Sequence, residues 1–319
     1  MKIGFIGLGN VGGKLAGSIL RNGFELTVRD LDRAVAEPLL ANGARWADSP
    51  REMAERCDMV ITCLPNPAAS AAVLEAEDGI LAGLSAGKIW AEMSTSDEAE
   101  VRRLGALVTE TGAEPMDCPV SGGCHRAATG NIAIFAGCAR ETFERALPVL
   151  TAMGRRVLHT GPLGSASTLK VVTNYLASAN LASLCEALVT AGAAGMDLNT
   201  AYEAIRISSG NSFVHETESQ VILNGSRDIN FTMDLVVKDV GLFQALADRN
   251  GVPLEVSPLL VEIFRDGLDR YGAREWSPNI IKRLEEACGL DVLAPGFPPE
   301  MVDDEPEAAG YEVIPTGRP

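Results

Sequence analysis

The sequence predicts an α/β protein: a doubly wound parallel sheet in the first half, followed by an all-α second half. In the first half, short β-rich apolar runs alternate with helical stretches, which is typical of βαβ units. After residue 160 strand-like runs disappear, and Ser165 to Gly195 contains no proline. We therefore expect domains at 1–162 and 163–288 and an extended tail at 289–319.

The elements of the first half follow from its apolar runs. Continuous apolar runs such as MVITCL indicate strands that are buried on both faces of a sheet. The predicted strands are KIGFIG, ELTVRD, MVITCLP, KIWAEMS, AEPMDCPV and NIAIFAG, and the predicted helices are 10–22, 33–42, 97–111 and 140–153.

The second half begins with a long apolar stretch. If 165–195 is one helix, it spans roughly 45 Å at 1.5 Å per residue. A helix that is apolar all round must be buried, either in a domain centre or between domains, and the amount of apolar surface suggests an oligomer. Further helices are predicted at 197–208, 212–223, 232–249, 255–271 and 277–287. The proline-rich acidic tail is either disordered or an extended arm over this subunit or a neighbour, and its apolar residues favour the arm.

Composition excludes several classes of partner. The net charge of −16 argues against nucleic acid, and it requires local positive charge at any site for an anionic substrate. No apolar run of about 18 residues predicts a membrane span, and no signal peptide is recognisable. The seven cysteines contain no C-x-x-C pair and no zinc spacing, so we expect reduced, buried thiols, no metal site and a cytoplasmic location.

A glycine-rich loop follows the first strand. Gly7, Gly9 and Gly12 form G-x-G-x-x-G at the start of a helix, within a predicted βαβ unit. The first glycine permits the tight turn, the second lets a pyrophosphate approach the backbone, and the third lets helix and strand pack closely. This context predicts a Rossmann domain that binds a dinucleotide at the helix N-terminus, with Asn10 and Val11 in the loop.

The end of the second strand indicates which dinucleotide is bound. Asp30 lies eighteen residues after Gly12, where a carboxylate accepts hydrogen bonds from the adenine ribose and repels a 2′-phosphate. NAD is therefore favoured. NADP stays open, because Arg29 and Arg33 flank Asp30 and are able to hold a phosphate.

A lysine interrupts the long apolar stretch. Burial disfavours its charged form and lowers its pKa, which suits a general base that removes a hydroxyl proton during hydride transfer. Asn174 lies one helical turn after Lys170 and is placed to bind the same substrate. The alternative for Lys170 is a lysine whose stem is buried while its amine reaches solvent.

With the glycine loop, three further stretches resemble the β-hydroxyacid dehydrogenase family over residues 1 to about 288. DCPVSGG at 117–123 is similar to the family's substrate-binding motif, GPLGSASTLKVVTN at 161–174 to its lysine-containing segment, and FTMDLVVKDVGL at 231–242 to its nicotinamide-side segment. CLPN at 63–66 and MSTS at 93–96 are similar to its cofactor-lining loops.

The resemblance implies a role for each matching residue. Lys170 transfers the proton and Asn174 orients the substrate, while Ser121, Gly122 and Gly123 bind its carboxylate. The cofactor-lining residues that it implies are Leu64, Pro65, Thr95, Phe231 and Lys238, although Lys238 and Asp239 also fit an ordinary surface ion pair. The implied activity is an NAD-dependent dehydrogenase of a small 3-hydroxy acid or its semialdehyde.

The sequence also departs from the family pattern. Thr173 stands where many relatives have a second asparagine, and the tail beyond 289 is longer than the usual family ending. His125 and Arg126 replace small residues and either bind a second anionic group of the substrate or face solvent. The alternatives are a non-catalytic dinucleotide-binding module, or a reductase of a related anionic substrate such as a hydroxysulfonate or of an imine; imine-reducing relatives typically lack this lysine.

Overall fold

The computed structural model describes residues 1–317, and a mixed β-sheet forms its first half. The order of the strands is β10-β9-β8-β6-β5-β4-β1-β2-β3, and β7 pairs with β8. The strands are β1 Lys2–Ile6, β2 Glu25–Arg29, β3 Arg45–Trp46, β4 Met59–Thr62, β5 Ile89–Glu92, β6 Glu114–Asp117, β7 Val120–Ser121, β8 Ala133–Gly137, β9 Arg156–Gly161 and β10 Tyr311–Glu312. Strands β1 to β6 are parallel, as the alternating pattern predicts.

The sheet departs from the expected parallel arrangement after β6. The run AEPMDCPV, expected as one strand, divides into β6 and β7, and β8 runs antiparallel to both. Cys118 and Pro119 separate the two short strands but stay beside the sheet, since Cys118 N donates to Glu92 O and Phe135 N donates to Pro119 O. Strand β9 then continues the sheet parallel to β8.

The helices of the first half are α1 Gly12–Arg21, α2 Glu37–Ala41, α3 Pro50–Arg56, α4 Pro67–Glu75, α5 Glu98–Glu110, α6 Gly123–Thr129 and α7 Arg140–Met153. Helices α3, α4 and α6 were not expected from the sequence. The first two carry a start signal, because Ser49 and Asn66 cap the helix N-termini and each is followed by proline.

Two apolar layers cover the two faces of the sheet. Successive residues of one strand face opposite layers: Ile61 of β4 belongs to the layer that contains Phe5 and Phe143, whereas Val60 belongs to the layer of Trp90 on the other face. The sheet is therefore buried on both sides, which explains the continuous apolar strands.

The second half is all-α from 165 to 288. Its helices are α8 Ser165–Ala193, α9 Leu198–Arg206, α10 Phe213–Asn224, α11 Met233–Arg249, α12 Val256–Tyr271 and α13 Lys282–Cys288, with a 3₁₀ helix at Ser277–Ile281. Leu188, Ile222 and Phe264 lie in its core. Within the described residues, α8 alone has the length and composition of a membrane span, criteria that core helices of globular proteins also meet.

The chain divides into two compact units. The first contains Met1–Lys170 and the C-terminal residues from Asp303, and the second contains Val171–Val302. This division falls inside α8. The first turn of α8 is held by the sheet unit, since Gly164 and Ser167 donate backbone hydrogen bonds to Asp117 at the end of β6.

The C-terminal tail is extended in its described part. Residues 289–302 belong to the second unit, where Ala294 N donates to Leu223 O at 2.9 Å and Phe297 packs edge-on against Tyr202. Strand β10 belongs to the first unit and pairs with β9, because Tyr311 N donates to Arg155 O and Val313 N to Val157 O. Residues 318–319, the end of the predicted tail, lie outside the described residues.

Candidate active site

Four loops lie side by side at one edge of the sheet. Ile6 pairs with Thr62, Thr62 with Glu92, and Glu92 with Asp117, so these parallel strands end level with one another. Strand β1 lies between β2 and β4, where the strand order reverses. Crevices outside the carboxyl ends of strands at such a reversal bind ligands in open α/β sheets.

The glycine loop has the geometry that a pyrophosphate requires. Gly7 has a φ of +96°, and a Cβ there would lie 2.2 Å from Cys63 O. A Cβ on Gly12 would lie 2.0 Å from Gly7 O, whereas one on Gly9 would meet nothing within 4 Å. Two glycines are thus required by close backbone packing, and the third leaves the exposed side of the loop open. This fits a bound dinucleotide.

Asp30 is tied to this loop. Its Oδ2 accepts a hydrogen bond from Leu8 N at 2.6 Å, and its Oδ1 accepts one from Asp32 N at 3.2 Å. The carboxylate is therefore fixed beside the loop at the end of β2, where the ribose of a dinucleotide binds in this fold.

The two arginines that flank Asp30 pack around Trp46. Arg29 donates to Ala47 O at 3.0 Å and to Asp48 O at 2.6 Å, so its guanidinium holds the chain after β3. The Arg33 guanidinium lies 5.2 Å from the centre of the Trp46 ring. Arg29 thus has a structural role beside the cofactor role expected from the sequence.

The loops after β4 and β5 are joined to each other. Leu64 N donates to Ser94 Oγ at 2.7 Å, and Ser94 N donates to Glu92 Oε1 at 2.8 Å. Burial raises the pKa of Glu92. Leu64 borders Gly7, while Pro65 is exposed and Thr95 half-buried. These loops bring the predicted cofactor residues Leu64, Pro65 and Thr95 to the edge of the sheet that carries the glycine loop.

The predicted substrate loop joins β7 to α6. Gly122 and Gly123 have φ values of +130° and +84°, which favour glycine at both positions. A Cβ on Gly123 would lie 2.8 Å from His125 Cε1, and one on Gly122 would lie 3.4 Å from Arg126 Cδ. Both side chains therefore fold back against the loop that begins at Ser121. Burial and the charge of Arg126 lower the pKa of His125.

Lys170 is buried on α8, with 8% of its surface exposed. The N-terminus of this helix is fixed by Asp117, a fully buried residue of DCPVSGG for which no separate role was predicted. Asp117 accepts hydrogen bonds from Gly164 N at 2.8 Å, Ser167 N at 2.6 Å and Ser167 Oγ at 2.8 Å. Because β6 leads into the substrate loop, Asp117 connects that loop to the helix of Lys170.

The other predicted residues lie in the second unit. Asn174 donates through Nδ2 to Asp239 Oδ2, and Lys238 Nζ lies 2.7 Å from Asp239 Oδ1. Asp239 is 1% exposed, so this is not an ordinary surface ion pair. No role was predicted for Asp239, although its position next to Lys238 in FTMDLVVKDVGL was a signal. Phe231 is half-buried and packs against the core of this unit.

Residues 1–317, which the structure describes, contain no cluster of three or more His, Cys, Asp or Glu side chains that could hold a metal ion.

The strand order, the glycine loop and Asp30 together define a Rossmann-type dinucleotide-binding protein. The sequence matches two family models: the NAD-binding domain of 6-phosphogluconate dehydrogenase over residues 2–161, and the NAD-binding domain of NADP-dependent 3-hydroxyisobutyrate dehydrogenase over 164–284.

Individual relatives agree with these models. The chain is 33% identical to 2-(hydroxymethyl)glutarate dehydrogenase of Eubacterium barkeri over 92% of this chain and 97% of that protein. It is 33% identical to NAD-dependent L-serine dehydrogenase of Pseudomonas aeruginosa over 89% and 97%, respectively. The crystal structure of 3-hydroxyisobutyrate dehydrogenase from Salmonella typhimurium superimposes with a TM-score of 0.82 at 29% identity, covering 89% of this chain and 99% of that one. The chain belongs to the β-hydroxyacid dehydrogenase family.

Proposed function

We propose that this protein is a dehydrogenase of a small 3-hydroxy acid, or a reductase of its semialdehyde, with Lys170 as the general acid/base. The observation that carries this is the link through Asp117. One buried carboxylate holds the N-terminus of the Lys170 helix and lies on the strand that leads into the substrate loop. A proton-transfer group and an anion-binding loop are thereby fixed to one framework within the first unit.

The chemistry follows from the residue types. Backbone amides at Ser121, Gly122 and Gly123 bind the substrate carboxylate. The positive charge of Arg126 offsets the repulsion between this carboxylate and a chain whose net charge is −16. The Lys170 amine accepts the hydroxyl proton during oxidation and returns it during reduction. Asn174, held by Asp239, orients the hydroxyl oxygen. A bound nicotinamide supplies the hydride acceptor.

Substitution of Lys170 tests this assignment. We expect Lys170→Met to lower kcat by at least about 100-fold, the contribution typical of a general acid/base. Lys170→Arg should also be inactive, because a guanidinium keeps its proton. Binding of NAD, measured by fluorescence titration, should survive in both variants, and Lys282→Met serves as a control outside the site. Near-normal turnover by Lys170→Met would contradict the role.

We further propose that NAD is preferred over NADP. The Asp30 carboxylate is fixed beside the glycine loop, and Arg29 is engaged by backbone carbonyls, which leaves a 2′-phosphate facing a negative charge. Steady-state kcat/KM with the two cofactors tests the preference, and Asp30→Asn should shift the ratio toward NADP. A wild-type preference for NADP would indicate that Arg29 or Arg33 outweighs the carboxylate.

A substrate panel with NAD identifies the acid. The panel contains 3-hydroxyisobutyrate, 3-hydroxypropionate, glycerate, threonate, serine and a three-carbon hydroxysulfonate. Serine is included because a relative is named for L-serine oxidation, and the hydroxysulfonate tests whether His125 and Arg126 accept a second anionic group. Tight NAD binding without turnover of any panel member would support a non-catalytic module instead.

The second unit is proposed to act as the substrate and oligomerisation domain of a homodimer or homotetramer. Several large apolar side chains of its helices are exposed, among them Leu176 on α8 and Leu259 on α12. Water-exposed apolar surface of this kind is typical of subunit interfaces. Light scattering coupled to gel filtration measures the assembly state. A monomer at micromolar concentration would contradict the proposal.

A further inference from the structure

The C-terminal segment from Asp303 packs against the helix that follows the predicted substrate loop. Residues after 284 lie outside both family models, so the family match assigns this segment no role. Asp303 is the first residue of the segment within the sheet unit, and its side chain reaches the end of α6.

Hydrogen bonds close the turn that ends α6. The Asp303 carboxylate accepts one from Thr129 Oγ1 and another from Asn131 Nδ2 at 2.8 Å. Asn131 Nδ2 also donates to Glu305 O at 2.7 Å, and Asn131 N donates back to Arg126 O at 2.9 Å. The tail therefore holds the last turn of α6 in place.

Helix α6 needs such anchors, because a helix of seven residues is not stable by itself. A second anchor runs through Arg21, whose guanidinium donates to Ala128 O at 2.9 Å and contacts Glu307 Oε1 of the tail at 3.4 Å. Gly123 of the substrate loop is the first residue of α6, Gly122 is the N-cap, and His125 and Arg126 occupy the middle of the helix. A shift of this helix therefore moves all of them.

The charge on Asp303 lies in an unfavourable place and is compensated. A carboxylate near a helix C-terminus faces the negative end of the helix dipole. Partial burial works against ionisation, but hydrogen bonds from Thr129 and Asn131 and the charge of Arg126 outweigh it, so the pKa of Asp303 lies below its usual value. An ionised group thus forms charge-assisted hydrogen bonds, which are stronger than neutral ones.

We infer that Asp303 is a positioning residue for substrate binding: by fixing the end of α6 it holds the Ser121–Gly123 loop in the geometry that binds the substrate carboxylate. The inference rests on the proposed function of that loop. It assigns a role to the tail, which contributes to the affinity for the acid without touching the acid.

Kinetics of two variants test the inference. In Asp303→Ala, KM for the panel acid with the highest kcat/KM should rise about tenfold, while kcat and KM for NAD change less than about twofold. Asp303→Asn keeps an acceptor oxygen and should restore most of the affinity. Asp304→Ala, a change at the exposed neighbour, is the matched control. A KM for the acid in Asp303→Ala equal to that of the control would overturn the inference.

Hydrogen exchange gives a readout that does not depend on catalysis. Amides of residues 126–131 should exchange about tenfold faster in Asp303→Ala than in Asp304→Ala, because the closed turn opens. Unchanged exchange in this segment would overturn the anchoring role. If the wild-type protein oxidises no panel acid, the proposed function fails, and hydrogen exchange alone then decides whether the tail fixes α6. If Asp303→Ala does not fold, the same two comparisons are made with Asp303→Asn, which loses the charge but keeps one acceptor oxygen. KM for the acid and exchange at residues 126–131 should then be about twofold higher than in Asp304→Ala, and equality with that control would overturn the inference.

Discussion

At the scale of single residues, Asp239 is the acid on which two predicted site residues depend. Asn174 and Lys238 both contact its carboxylate, and Asp239 itself is buried, so water has little access to this carboxylate. The hydrogen bond to Asp239 favours one orientation of the Asn174 amide, and a fixed orientation is what the substrate-orienting role proposed for Asn174 requires.

Substitution of Asp239 should therefore impair catalysis more than cofactor binding. We expect Asp239→Ala to lower kcat about 100-fold, because Asn174 and Lys238 lose their common partner. The dissociation constant for NAD should change far less, because the glycine loop and Asp30 are untouched by this substitution. Stopped-flow and steady-state kinetics measure the effect. Asp248→Ala, an exposed change near the end of the same helix, should have wild-type kinetics. If both variants behave alike, Asp239 has no role in orienting Asn174.

At the scale of elements, the N-terminus of α8 depends on a partner distant in sequence. Its amides at Gly164 and Ser167 bond to Asp117, 47 and 50 residues earlier in the chain. A carboxylate there also interacts favourably with the helix dipole. The helix therefore begins where the sheet unit holds it, and Lys170 follows three residues after Ser167.

Removal of this carboxylate should affect stability and catalysis together. Asp117→Ala leaves two buried amides and a hydroxyl without their acceptor, and we expect a loss of about 3 kcal/mol in the free energy of unfolding. It should also lower kcat, since α8 loses its fixed start. Urea denaturation and steady-state kinetics provide the measurements. Asp197→Ala, which removes an exposed helix cap from α9, should cost about 1 kcal/mol without a change in kcat.

At the scale of the whole molecule, buried carboxyl groups make stability depend on pH. Glu218 on α10 has an Oε2 that is buried without a hydrogen-bond partner among the described residues, and burial raises the pKa of Glu218 to about 8. The unfolded chain releases this proton near pH 4.3. Between these values the folded state holds the proton and the unfolded state does not, so stability falls as the pH rises and levels off above about 8.

Glu218→Gln should remove this dependence. Between pH 6 and 8 the wild-type free energy of unfolding should decline more than that of the variant, by at most about 1.4 kcal/mol per pH unit. Urea denaturation at pH 6, 7 and 8 measures the difference. Glu216→Gln, at an exposed position of the same helix, should keep the wild-type slope. Parallel slopes for the wild type and Glu218→Gln would contradict the prediction.

Local patterns in the sequence predict most of the main elements. The strands β1, β2, β4, β5, β6 and β8, the helix α7 at 140–153 and the long helix α8 follow from apolar runs and local composition, which depend only on near neighbours, whereas the two-residue strand β3 was not predicted. The glycine loop is similarly local, because positive φ and close packing act over a few residues. Helix α6 was missed, since its seven residues depend on tertiary anchors.

The tertiary structure alone decided which distant groups meet. Three hydrogen-bonded pairs show this: Asp117 and Ser167 are 50 residues apart, Asn174 and Asp239 are 65 apart, and Asp303 and Asn131 are 172 apart. No local pattern encodes such a contact. The tail is the clearest case: its composition allowed a disordered chain or an arm. Its place on β9 depends on unpaired backbone groups at a sheet edge, which exist only once the sheet has formed.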